Sequence, residues 1–63
     1  MHGSDSGYIV EFLRIGSAVK VSACDPATLI EVSIVGSAHS PDSLLERAAI
    51  RKLEAALAAR RCG

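Results

Sequence analysis

His39 lies within a group of serines, and hydrolases use this combination of residue types as base and nucleophile. The serines stand too close to His39 along the chain to define a nucleophile, and their spacing is typical of loop and helix-capping residues; they are Ser37, Ser40 and Ser43. An active site would have to add Glu11 and Arg14 from a distant segment. We therefore predict no catalytic residue and a protein that is not an enzyme.

A metal site would need His39 together with Cys24 and either Asp25 or Cys62. None of these spacings matches a zinc-ligand pattern, and the two cysteines do not form a C-x-x-C pair. In a reducing compartment such thiols remain free. The sequence therefore predicts neither a metal nor another cofactor.

Four arginines in the last third of the chain are the candidate nucleic-acid contacts, because arginine binds phosphate. They are Arg47, Arg51, Arg60 and Arg61. The net charge is zero and aromatic residues make up 3% of the chain, so both a general attraction for nucleic acid and a set of stacking platforms are lacking. Nucleic-acid binding is accordingly the alternative function and not the leading one.

The first half of the chain has the residue types of β-strands. Segments 8–15, 18–23 and 29–35 are rich in apolar residues, many of them β-branched, and short turns separate them. Gly16-Ser17 suits a tight type II′ hairpin, because glycine tolerates positive φ at the first turn position. Asp25-Pro26 favours a second turn. These segments predict an antiparallel meander.

The second half of the chain predicts one amphipathic helix. Ser40 suits the N-cap and Pro41 the first helical position, where the missing N–H of proline has no partner to lose. Apolar residues recur at helical spacing and define a stripe that packs on a sheet: Leu45, Ala49, Leu53, Ala56 and Leu57. The predicted fold class is α+β, a three-stranded antiparallel meander followed by one C-terminal helix (β-β-β-α).

Segment 8–15 has apolar residues on both of its faces. In the other two segments apolar and polar residues alternate, as expected of a sheet that is covered on one side. Because one helix cannot cover both faces, we predict that a second copy supplies the remaining cover, in a homodimer that exchanges its helix or pairs strand edges. The predicted interface residues are Tyr8, Val10, Phe12, Leu44, Ile50 and Leu57.

The length and hydropathy of the chain restrict the cellular location that we expect for the protein. No stretch approaches the roughly 18 consecutive apolar residues of a membrane helix, and the first residues lack the pattern of a signal peptide. The expectation is a cytoplasmic protein that does not bind membranes. A chain of this size buries only about 60% of its unfolded surface, so dimerisation is an attractive source of further burial.

Several short strings, in a fixed order, resemble a family of small uncharacterised proteobacterial proteins, a domain of unknown function. The strings are EFLRIG, VKVSA, DPAT, EVSIVG and AAIRKLE, and the resemblance spans roughly residues 8–58. It implies intertwined or exchanged dimers and supplies no activity, substrate or catalytic residue. Relatives carry a glycine after the Asp-Pro-x-Thr turn, where this chain has Leu29, so the turn type over residues 25–29 stays open.

These features predict a single domain over residues 8–60, preceded by a disordered arm over residues 1–7 and followed by a frayed tail over residues 61–63. The function itself is unknown from the sequence. The leading hypothesis is a non-enzymatic cytoplasmic accessory protein that acts through protein–protein contacts as a homodimer. The alternative is weak nucleic-acid binding by the basic face of the C-terminal helix.

Overall fold

The computed structural model describes residues 2–3 and 7–62, with side chains described over residues 7–60. Its elements are β1 (His2–Gly3), β2 (Ile9–Ile15), β3 (Ala18–Asp25), β4 (Ile30–Ser37) and α1 (Asp42–Cys62). The strands form one antiparallel sheet in the order β1-β2-β3-β4. The predicted α+β fold, a three-stranded meander followed by one helix, is confirmed in β2, β3, β4 and α1.

The two ends of the domain differ from the sequence expectation. His2 pairs with Val10 and Gly3 with Ile9, so β1 replaces part of the disordered arm predicted over residues 1–7. The outer edge of β2 offers backbone N–H and C=O groups to a neighbouring segment. A segment can form hydrogen bonds with these groups even when its own sequence has no apolar pattern. Helix α1 continues to Cys62, beyond the predicted end at residue 60, since this segment is rich in helix-forming alanine and arginine. Residues 1, 4–6 and 63 lie outside the described residues.

A two-residue turn sets the register of the β2–β3 hairpin. Ile15 pairs with Ala18, which leaves Gly16 and Ser17 as the connection. Gly16 takes a φ of 61°, and positive φ is what the first position of a type II′ turn requires. Because side chains alternate along a strand, this pairing decides which residues of β2 share a face with Val19.

The core lies between α1 and the sheet, where the helix packs mainly over β3 and β4. Val10 opposes Ala23 on β3, and Val21 opposes Ile34 on β4, so these four side chains share the face that the helix covers. The buried residues are Val10, Val19, Val21, Ala23, Leu45, Ala49, Leu53 and Leu57. The predicted apolar stripe of the helix is thereby confirmed, with Ala56 half-buried beside it.

The helix begins one residue later than predicted. The Pro41 carbonyl accepts hydrogen bonds from the N–H groups of Leu44 (3.1 Å) and Leu45 (3.2 Å), so Pro41 occupies the N-cap position expected for Ser40. The N–H of Ser40 instead donates to the Ser37 carbonyl at 3.0 Å and closes the preceding turn. This turn brings the chain from β4 to the start of α1.

The β3–β4 turn is held together by the carboxylate of Asp25. Its Oδ1 accepts the N–H of Ala27 at 3.0 Å, and its Oδ2 accepts the hydroxyl of Thr28 at 3.1 Å. The N–H of Leu29 donates to the Asp25 carbonyl at 2.7 Å. Leu29 adopts a φ of 63°, in the left-handed region that costs a residue with a Cβ roughly 1–2 kcal/mol. The turn therefore carries backbone strain at an exposed leucine.

Candidate protein interface on the sheet

One face of the sheet points away from the helix, and we call it the open face. It is formed by alternate residues of β2, β3 and β4, which lie opposite one another in four rows. The rows are Ile9–Cys24–Glu31, Glu11–Ser22–Ser33, Leu13–Lys20–Val35 and Ile15–Ala18–Ser37. Helix α1 packs on the other face, where the core lies.

The open face carries four large apolar side chains that are exposed. Their exposed fractions are 41% for Ile9, 57% for Leu13, 61% for Ile15 and 71% for Val35. When an antiparallel sheet has one face in water, that face is normally polar. Leu13 and Val35 share a row and Ile15 belongs to the next row. Several large apolar side chains exposed on one sheet face make this face the candidate interaction surface.

Three charged side chains share the open face with the apolar residues. Lys20 lies on the central strand β3, between Leu13 and Val35, and is exposed. Glu11 belongs to the adjacent row on β2, and Glu31 to the far end of β4. The methylene stem of a lysine covers apolar surface while its ammonium stays polar. A partner of this face must therefore match one central positive charge and two peripheral negative charges.

The edges of the sheet are less available than the open face. β1 already pairs with Ile9 and Val10 on the outer edge of β2. On the outer edge of β4, the Nζ of Lys52 donates to the carbonyl oxygen of Ser33 at 2.8 Å. Lysine at an edge strand opposes pairing with a further strand. These contacts favour the open face over the edges as a docking surface.

The residues predicted to form an interface differ in how deeply the single chain buries them. Val10 and Leu57 belong to the core that the chain's own helix and sheet form, at 0% and 8% exposure, and their place in a dimer interface stays a prediction. Three others are partly buried and pack against that core: Tyr8, Phe12 and Ile50. Leu44 is exposed at the start of α1. In the single chain the predicted residues are therefore divided between the core, its margin and the exposed surface.

The apolar residues of the open face were missed because both faces of segment 8–15 are apolar. The signal that identifies the correct face is the two-residue turn at Gly16-Ser17. This turn pairs Ile15 with Ala18, and hence Arg14 with Val19. Since Val19 belongs to the apolar face of β3, even-numbered residues of β2 face the helix and odd-numbered residues form the open face.

The arginines proposed for nucleic-acid binding do not share a face. Arg47 and Arg51 are exposed and lie one turn apart on α1. Arg60 follows Arg51 by nine residues, about two and a half turns of helix, so it lies on the opposite side. Arg61 is helical, and its side chain lies outside the described residues. The continuous basic patch that the alternative function needs is reduced to one arginine pair.

The structure does not bring the residues of the enzyme and metal hypotheses together. Glu11 and Arg14 lie on opposite faces of β2, since they are an odd and an even position of one strand. Cys24 pairs with Glu31 at one end of the sheet, whereas His39 follows β4 at the other end. Among the described residues, no group of three or more histidine, cysteine or acidic side chains is placed to hold a metal ion.

A shallow pocket of about 200 Å³ lies beside the C-terminal half of α1. It is lined by Tyr8, Glu54, Leu57 and Ala58. Pockets that bind small molecules usually measure about 300–1,000 Å³.

Within residues 2–3 and 7–62, no helix combines the length and apolar character needed to cross a membrane. The open face is therefore the best-developed candidate site on the described surface.

The fold is a two-layer α+β domain whose open face exposes large apolar side chains. A family model described as a domain of unknown function (DUF6898) matches residues 5–61, so the chain belongs to this family. The predicted membership of such a family is confirmed, and the family description assigns no activity. No curated protein and no solved structure matches the chain.

Proposed function

We propose that this chain is a non-enzymatic accessory protein that acts as a homodimer, with the open face as the dimer interface. The observation that carries the proposal is the exposure of Leu13, Ile15 and Val35 on one side of the sheet. Moving large apolar side chains from water into a contact contributes about 25 cal/mol per Å². A second copy presents the same apolar face, so the two copies cover each other.

The surface area of the chain is sufficient for a stable dimer. The chain exposes 4406 Å², whereas a compact monomer of 6.6 kDa exposes about 3,900 Å². A compact protein of doubled mass exposes about 6,400 Å², so two of these chains would bury on the order of 2,400 Å² together if their dimer were as compact as an ordinary protein of that mass. Even half of this buried area equals about 1,200 Å², the lower limit for stable protein–protein interfaces.

Helix exchange, the mode implied by the family resemblance, does not by itself cover the open face. An exchanged α1 makes the same contacts on the partner's sheet that it makes on its own, with Ala49 and Leu53 in the core. Ile9 and Leu13 remain exposed whichever chain supplies the helix. Stacking of the open faces removes these side chains from water, which favours it over exchange.

Two further observations support a non-enzymatic role inside the cell. In the described part of the chain the buried side chains are all apolar, and no buried side-chain polar atom lacks a partner. Active sites, by contrast, usually contain buried polar or charged side chains. Cys24 is a free thiol, which fits the reducing cytoplasm. Cytoplasmic location and bacterial origin are part of the proposal.

The test compares two leucines of equal exposure in sedimentation velocity. Leu13 on the open face and Leu44 on the helix are both 57% exposed. We expect Leu13→Ser to shift the protein from dimer to monomer and Leu44→Ser to leave it dimeric. Dissociation by Leu44→Ser alone would place the interface on the helix. Turnover of a substrate that a single surface substitution abolishes would refute the non-enzymatic role.

A further inference from the structure

We infer that the two copies pack with their strands crossed, so that Lys20 of each copy lies against the partner's Glu11. The inference rests on the proposed dimer and specifies how its two open faces are oriented. It follows from where the charges lie: Lys20 on the central strand, Glu11 one strand and one row away. Self-complementary contact is required, because a two-fold interface uses the same surface on both copies.

Aligned packing of the two sheets about an axis along β3 is unfavourable. A two-fold axis that runs along β3 places Lys20 directly on the partner's Lys20, because Lys20 lies on that central strand. Like charges that meet in a contact between sheets repel each other and lose their hydration. An axis that lies away from Lys20 avoids this contact, and one that also brings an acidic residue over Lys20 pairs opposite charges.

We place the two-fold axis in the plane of the interface, midway between Lys20 and Glu11. This axis pairs opposite charges and also brings apolar residues of the two copies together. Strands lie about 4.8 Å apart, and residues on one face lie about 6.7 Å apart along each strand. On this grid, the axis that pairs Lys20 with the partner's Glu11 also brings Ile9 over the partner's Val35. The two sets of strands then cross at about 70°, near the orthogonal class of sheet packing.

The same axis passes close to Leu13 and Ser22, which consequently meet their own copies at the centre of the interface. Ile15 and Glu31 lie at its rim. Pairing Lys20 with Glu31 instead moves Val35 beyond the partner's β4 edge and leaves it in water. The Lys20–Glu11 arrangement therefore buries more of the apolar surface than its nearest alternative.

A charge-swap experiment tests this orientation. Lys20→Glu and Glu11→Lys each place like charges across the interface, and both residues are exposed, so neither substitution disturbs the core. We expect each variant alone to raise the dimer Kd by roughly tenfold or more. An equimolar mixture restores two opposite-charge pairs, so native mass spectrometry should show the mixed dimer in excess over both homodimers.

A cysteine at Ser22 reports the same axis independently of charge. In a Cys24→Ser/Cys62→Ser background, we expect a short homobifunctional thiol reagent to crosslink the Ser22→Cys side chains of the two copies, because facing sheets lie about 10 Å apart and a direct disulfide does not span that distance. A wild-type dimer without preferential mixed pairing, or without the Ser22→Cys crosslink, overturns the crossed orientation and leaves the proposed dimer intact. A monomeric wild-type protein overturns both.

Discussion

Lys52 and Ser33, 19 residues apart in sequence, are joined by a hydrogen bond of 2.8 Å from the lysine Nζ to the serine carbonyl oxygen. The bond ties the helix to the outer edge of the sheet. It also occupies a carbonyl in the middle of β4 that a further strand would otherwise bond. A further strand at this edge would have to break the bond, which is one reason why we propose that dimerisation uses the open face.

Replacing Lys52 with methionine should release the β4 edge. Lys52→Met keeps an unbranched side chain of high helix propensity and removes the donor. We expect a loss of about 1 kcal/mol in the free energy of unfolding, and light scattering should detect species larger than a dimer. Arg51→Met is the matched control, since it removes one charge from the exposed face of the same helix. Equal behaviour of the two variants would show that Lys52 does not guard the edge.

The strained turn at Leu29 offers a route to higher stability. Leu29→Gly should raise the free energy of unfolding by about 1 kcal/mol, because glycine adopts the observed φ without the Cβ penalty. Leu29→Ala removes the same exposed side chain but keeps the Cβ, so we expect a change within about 0.5 kcal/mol. Urea denaturation at one protein concentration checks both variants. A gain of equal size in the alanine variant would exclude backbone strain as the cause.

At Gly36 on β4 the helix approaches the sheet closely. A Cβ built at Gly36 overlaps the Cδ2 of Leu45, a buried core residue. Gly36→Ala should therefore destabilise the fold by about 1–3 kcal/mol, the usual range for an overpacked core. In a Leu45→Ala background the same change should be neutral or stabilising, since the space is vacated. Additive effects in this double-mutant cycle, measured by thermal denaturation, would rule out the predicted contact.

The separation of the arginines predicts weak or no binding of nucleic acid. Titration with duplex and single-stranded DNA at about 50 mM salt, where phosphate contacts are strongest, should give no saturable binding. The Arg47→Gln/Arg51→Gln variant should behave as wild type. Saturable binding that this variant abolishes would revive the alternative function.

The sequence was most informative where its pattern had a single interpretation. The alternation of Val19, Val21 and Ala23 with polar residues predicted the inner face of β3, and the helical spacing from Leu45 to Leu57 predicted the buried side of α1. Both follow from periodicity alone, because each element has one clearly apolar side.

Segment 8–15 could not be resolved in the same way. Its two faces are similarly apolar, so the choice between Val10 and Leu13 as the buried residue depends on register, a property of the hairpin and not of the strand. β1 was missed because His2–Gly3 carries no strand pattern of its own. The strain at Leu29 likewise depends on the turn geometry that Asp25 imposes.

The molar mass of the native chain in solution, measured by light scattering over a micromolar concentration series, tests the account most directly. Covering of the open face by a second copy predicts a folded species of twice 6.6 kDa. A folded species that stays at 6.6 kDa up to the highest concentration would contradict it.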